Sequence, residues 1–150
     1  MGQQQLLLIV LGIIIVGIAI AVGVNMFQQS AVDSNRQNVI SDLSNLGAKA
    51  QRYYRTPTEL GGGAQTFARF KLGRLDTANA NGSYRVFTSA PTGADDEPAP
   101  TTTNTEVATT FTGDTVYIAG WGNEKGDDAN YPVKAYIAIS SSTMQTSIEN

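Results

Sequence analysis

From Leu6 to Val24 the chain reads LLLIVLGIIIVGIAIAVGV, an apolar run interrupted only by Gly12, Gly17 and Gly23, and the first ionisable side chain is Asp33. At about 1.5 Å per residue this run makes a helix roughly 28 Å long, the thickness of a bilayer's hydrocarbon layer. Fourteen of its residues are Leu, Ile or Val. Exposing that many such side chains to water costs on the order of 20 to 40 kcal/mol, so the segment needs lipid or other protein on every side. A cleaved secretory signal is one rival. Ala19-Ile20-Ala21 offers a small-residue processing site, but no basic residues precede the run and it exceeds a signal's apolar stretch. An ordinary anchor carries Lys or Arg at a flank, and here both flanks are uncharged. The glycines each cost an isolated helix about 1 kcal/mol against Ala, yet they let helices approach closely or the backbone unwind locally. They favour packing against other copies, and a single-pass anchor with incidental glycines stays open.

Beyond that tip about 120 residues remain, enough for one domain with one core. The chain thus divides into an apolar helix, 1–28, and a head, 29–150. Cys and His are both absent, which removes disulfides, thiolate metal sites and the commonest general base, and closes most nucleophilic and zinc mechanisms. A helical pattern continues past the tip: Val32, Val39, Leu46 and Tyr53 recur seven apart, with Leu43 and Ala50 between them. Asp33, Arg36, Asp42, Lys49 and Arg52 fall mostly on other faces, so this half is amphipathic and should pack one side on a sheet. Gly47 reads as a weak spot. Pro57 and Gly61-Gly62-Gly63 end the pattern. A helix from about residue 4 to 55 would be roughly 75 Å long, and half of it must protrude from a head this size.

The remainder predicts short antiparallel strands over SYRVFTS, EVATTFTG, TVYIAGW and PVKAYIAISSS, all rich in β-branched and aromatic residues. Between the first two, SAPTGADDEPAPTTTNT reads as a solvated loop whose threonines are alternative sugar acceptors. Charge is uneven: residues 33–74 hold seven Lys or Arg against three Asp or Glu, net +4, while 75–150 hold three against ten, net −7. Such polarity suits a head-to-tail contact between copies that never closes into a ring; two independently solvated faces are the alternative.

An uncharged span fused to an amphipathic helix and then a small antiparallel head resembles the type IV pilins and the pseudopilins of type II secretion, with an N-terminal helix of the class III type. The likeness is carried by LLLIVLGIIIVGIAIAVGV and by NVISDLSNLGAKAQRYYRTPTELGGGAQTF, about the first 70 residues. It implies an α+β fold, a long helix on a small antiparallel sheet. It further implies a structural subunit, not an enzyme and without a cofactor, that polymerises into a helical extracellular filament for adhesion, motility or surface attachment. The implied partners are copies of itself, the inner membrane that holds the unassembled pool, and a pilus assembly machinery; no nucleic acid is expected. The packing core is assigned to Leu6, Leu7, Leu8, Ile9, Leu11, Ile14, Ile15, Ile18, Ile20, Val24 and Phe27. The sequence departs from the family at Gln5, where members usually carry a carboxylate for docking on a neighbour. It also lacks a mid-span proline, whose flexibility Gly12, Gly17 and Gly23 would supply instead. Whether a leader is removed before Met1 stays open. The alternative function is a minor pseudopilin or a membrane-anchored binding head.

Four stretches compete for other roles. Glu124, Asp127 and Asp128 in GNEKGDDAN are oxygen ligands of the kind calcium takes, and pseudopilins resemble the chain in carrying a calcium loop near the C-terminus, but the spacing is no EF-hand and a solvated acidic turn is preferred. Arg69, Lys71 and Arg74 beside Phe67 and Phe70 suit single-stranded DNA, although a basic, partly buried strand or turn explains them better in an acidic protein. Tyr53, Tyr54 and Phe27 read as packing rather than electron conduction. Asn81-Gly82-Ser83 fits a glycosylation sequon and, preferentially, a turn. No nucleophile elbow, paired-acid or phosphate-loop motif is present.

Overall fold

A single helix, α1 (Gly2–Arg55), runs through both the apolar and the amphipathic stretch in the computed structural model, which describes residues 2–91, 106–126 and 132–149. Its 54 residues reach about 81 Å. No proline interrupts the run, and Arg52 and Arg55 stand in the last turn, where cations suit the negative end of the helix dipole. The chain then folds back to cap its own helix. The Gly63 N–H donates to the Tyr53 carbonyl and the Gln65 N–H to that of Tyr54, both at 2.8 Å, and the Thr56 hydroxyl donates to the Arg52 carbonyl at 2.8 Å. Gly61 sits at φ 80°, and a Cβ on Gly62 or Gly63 would collide with the Thr56 or Thr66 carbonyl. The glycine run is therefore the tight turn that supplies the helix's orphan carbonyls with donors.

Four strands follow, β1 (Gly82–Phe87), β2 (Thr115–Lys125), β3 (Pro132–Ser140) and β4 (Met144–Ile148), in one antiparallel sheet of order β1-β2-β3-β4. The α+β arrangement expected from the sequence, a long helix on a small antiparallel sheet, is the one found. Residues alternate between faces as strand geometry requires. Val116, Ile118, Ala135, Ile137 and Ile139 meet Val39, Leu43, Leu46 and Ala50 of α1 in one core. Phe67, Phe70, Leu72 and Val107 close its lower end, where Tyr53 lies 5.4 Å from Phe70 and Tyr54 4.8 Å from Phe67, centre to centre.

Close approach of helix and sheet depends on missing side chains. A Cβ on Gly47 would stand 3.0 Å from Met144 Sδ and 3.1 Å from Ile137 Cδ1. The position read as a weak spot is thus one where the helix lies close against β3 and β4. Gly120 pairs with Tyr84 across β1 and β2, and a Cβ there would stand 2.8 Å from the Tyr84 ring and 3.0 Å from Val39.

Two strand expectations need correction. EVATTFTG is not a strand of the sheet. Glu106 forms an isolated bridge with Lys71, Val107 exchanges backbone hydrogen bonds with Arg69 and Phe70, and the chain turns at 109–110. Of its β-branched residues only Val107 is buried, held by this short clamp. Conversely, β4 was not foreseen, because MQTSI is polar and follows a Ser-rich stretch. The turn before it is fixed by the Ser140 N–H to the Thr143 carbonyl at 2.9 Å and the Thr143 N–H to Ser140 Oγ at 3.0 Å, and an edge strand needs no continuous apolar face.

Candidate functional site

Among the described residues, the apolar half of α1 buries no side chain against the head. The first buried residue of the helix is Asn35. Leu6, Leu7, Leu8, Ile9, Leu11, Ile14, Ile15, Ile18, Ile20, Val24 and Phe27 are all exposed, from 48% at Leu11 to 80% at Phe27. Val10, Ile13, Val16, Val22 and Met26, not among the residues singled out from sequence, are exposed as well and complete the circumference. One helix of this length and composition is sufficient to cross a membrane. Gln5 lies exposed one turn before Ile9, and the backbone stays helical through Gly12, Gly17 and Gly23. Nothing lies within 4 Å of where a Cβ would stand at any of the three. In a single copy, then, no steric contact among the described residues requires glycine there.

Below this segment a polar joint fastens the helix to the head. Asp42 Oδ2 accepts hydrogen bonds from Asn79 Nδ2 at 2.8 Å, Asn81 Nδ2 at 2.9 Å and the Tyr84 hydroxyl at 2.7 Å. Burial, the largest influence, raises the Asp42 pKa, but the three hydrogen bonds favour the ionised form and together leave it below its ordinary value. Tyr84 is pushed well up, first by burial and then by the hydrogen bond to the Asp42 carboxylate and its charge. Asn81 is thereby engaged in the turn that enters β1, as the preferred reading of Asn81-Gly82-Ser83 required. Two turns nearer the tip, Asn35 Nδ2 donates to the Asn81 carbonyl at 2.9 Å and its Oδ1 accepts from the Glu124 N–H at 3.4 Å. Sequence reasoning passed over Asn35, yet a polar residue on the apolar helical period between Val32 and Val39 was the available signal.

The remaining stretches are placed as follows. Phe67 and Phe70 are buried and so cannot stack on bases, while Arg69 and Arg74 are exposed in turns and Lys71 is exposed on the bridge to Glu106. Tyr53 and Tyr54 pack against the core; Phe27 stands about 39 Å up the helix from Tyr53 at 1.5 Å per residue. Glu124 is exposed, whereas Asp127, Asp128 and most of the acidic, threonine-rich loop lie outside the described residues. Among the described residues no three His, Cys, Asp or Glu side chains cluster as metal ligands do. An open groove of about 740 Å³ lies where α1 overhangs the end of β2, lined in part by Asn25, Gln28, Val32, Asp33, Glu124 and Lys125. A second, of about 560 Å³, lies under the helix cap beside Tyr53, Arg69 and Lys71.

No family model matches the chain, and neither curated proteins nor solved structures yield a match.

Proposed function

We propose that this chain is the structural subunit of a pilin-like helical filament on the cell surface, polymerising through residues 1–28 and drawn from a pool held in the inner membrane by the same helix. The observation that carries the reading is the apolar half of α1, exposed around its whole circumference on a head whose core is complete without it. Such a helix must be enclosed by lipid or by other copies. The absence of charge before Asp33 supports movement between the two, since transfer into a protein core then desolvates no ion. Glycines with no steric role in the single copy suit close helix approach in an assembly. In that reading the head faces water, the filament serves adhesion, motility or attachment, and an assembly machinery in the membrane extracts the subunits.

A second reading is a low-copy pseudopilin or an anchored binding head, favoured by the length of the apolar helix alone. Abundance separates the two. Electron microscopy of sheared surface material, with mass spectrometry of what is seen, should find uniform thin fibres made chiefly of this chain. Fibres lacking it, or the chain recovered only from membranes in small amounts, would refute the subunit reading.

A further inference from the structure

Asn81-Gly82 is the only Asn-Gly dipeptide in the chain, the pairing in which a backbone nitrogen most readily attacks the preceding side chain, because glycine leaves that nitrogen unhindered. Packing demands the glycine. Gly82 pairs with Gly122 where β1 begins, and a Cβ on it would collide with the Trp121 carbonyl. The fold surrounds this vulnerable dipeptide with hydrogen bonds. Asn81 Nδ2 donates to Asp42 Oδ2 at 2.9 Å, and the Asn81 carbonyl accepts from Asn35 Nδ2 at 2.9 Å. The Asn81 and Gly82 N–H groups both donate to Asn79 Oδ1, at 2.9 and 3.1 Å. Both edges of the 81–82 peptide are thus held, and the side chain is drawn to a carboxylate on the helix.

We propose that Asn81 is a self-modification site guarded by the Asp42 joint, converting to aspartate or isoaspartate only when that joint between helix and head opens. In the open joint the Gly82 amide nitrogen gives its proton to water and attacks Asn81 Cγ. A Cγ–N bond forms, the Cγ–Nδ2 bond breaks, and Nδ2 leaves as ammonia with a proton from water, closing a five-membered imide. Water then opens the ring at either carbonyl, so the net change is amide plus water to carboxylate plus ammonium, with no oxidant or cofactor. In the closed joint the Gly82 N–H is held by Asn79 and its nitrogen cannot turn toward Cγ, while the Asp42 carboxylate has no proton to offer the leaving nitrogen. Either product bars the joint from closing again as before. Aspartate sets a second carboxylate where Asp42 met a donor, and isoaspartate inserts a side-chain carbon into the backbone just where Gly82 takes its register on Gly122. The site records irreversibly that a head has come loose from its helix, whether or not subunits assemble.

The full chain in detergent, incubated warm at neutral pH beside a synthetic peptide of residues 76–87, tests this, with aspartate and isoaspartate at position 81 read by peptide mapping and mass spectrometry. The folded chain should convert at least about tenfold more slowly than the peptide, because only its open fraction reacts. Equal rates overturn the guard. Asp42→Ala, verified as folded by circular dichroism, should convert several-fold faster than the unaltered chain, and an unchanged rate overturns the role of the joint. Should that variant not fold, Asn79→Ala, at an exposed position, carries the same expectation and the same refutation. Ile137→Val thins the core without touching the hydrogen bonds of the joint. An equal acceleration in that variant assigns the protection to folding as a whole and overturns the guard as well. Conversion at other asparagines with Asn81 intact, in the peptide or in the opened variants, removes the site itself.

Discussion

Removing residues 1–28 should convert a polymerising or membrane-bound chain into a soluble monomeric head without unfolding it. Every residue of the core cluster lies between Val39 and Ile139, and the first buried position of α1 is Asn35. The cut at 28 leaves more than one helical turn ahead of Asn35, so fraying of the new end does not reach its bonds to Asn81 and Glu124. Deleting exposed residues that touch none of the core should change folding free energy by less than about 0.5 kcal/mol, which in a head of about 120 residues moves the thermal midpoint by roughly 2 °C or less. Against that stands the removal of an association surface worth on the order of 20 to 40 kcal/mol in apolar side chains alone. Light scattering after size exclusion reads the mass, and circular dichroism reads helix content and the thermal midpoint, compared with the full chain in detergent. A head that unfolds, or one that still forms fibres, would refute the division into an assembly helix and a self-sufficient domain.

Ile14→Asp should abolish filaments at unchanged subunit level, because a carboxylate among apolar helices lacks water and partner at a cost of several kcal/mol; fibres of normal yield by microscopy contradict it. Gln5→Ala should weaken assembly only mildly, by about 1 to 2 kcal/mol per subunit for a lost hydrogen bond, with Gln5→Glu bringing no large gain, and complete loss in the first variant marks Gln5 as an indispensable docking residue. Because the folded pKa of Asp42 lies below its ordinary 3.8, its stabilisation is present above that value and lost as pH falls through the folded one. Asp42→Asn should therefore flatten the acid limb of the head's stability measured by urea unfolding against pH, and an unchanged limb excludes the joint as its source. Tyr84, raised, contributes below its ordinary 10.0 and loses that contribution as pH rises through its folded value. Gly120→Ala should cost about 1 to 3 kcal/mol by overpacking, since the new methyl meets a Tyr84 ring held by Asp42 and a buried Val39; a neutral or stabilising result by thermal unfolding would show that the ring can move.

The sequence by itself determined those features whose cause is local. Hydrophobic periodicity is written residue by residue, so the uncharged span, the amphipathic continuation over Val39, Leu43, Leu46 and Ala50, and the stop at Pro57 were legible, as were β1, the core of β2 and β3. What it left undetermined depends on which distant groups meet. MQTSI has no apolar pattern of its own and becomes β4 because β3 offers it a free edge. EVATTFTG has strand composition and is claimed instead by the backbone of residues 69–71. Gly47, a defect by helix propensity, is a requirement of packing once Met144 and Ile137 lie against it. Asp42 looked like one more solvated charge until the fold brought Asn79, Asn81 and Tyr84, 37 to 42 residues on, around one of its oxygens. The groove over Asn25 and Gln28 exists only because the helix outruns the sheet. Periodicity fixes what each segment must hide, and tertiary structure decides which partner hides it.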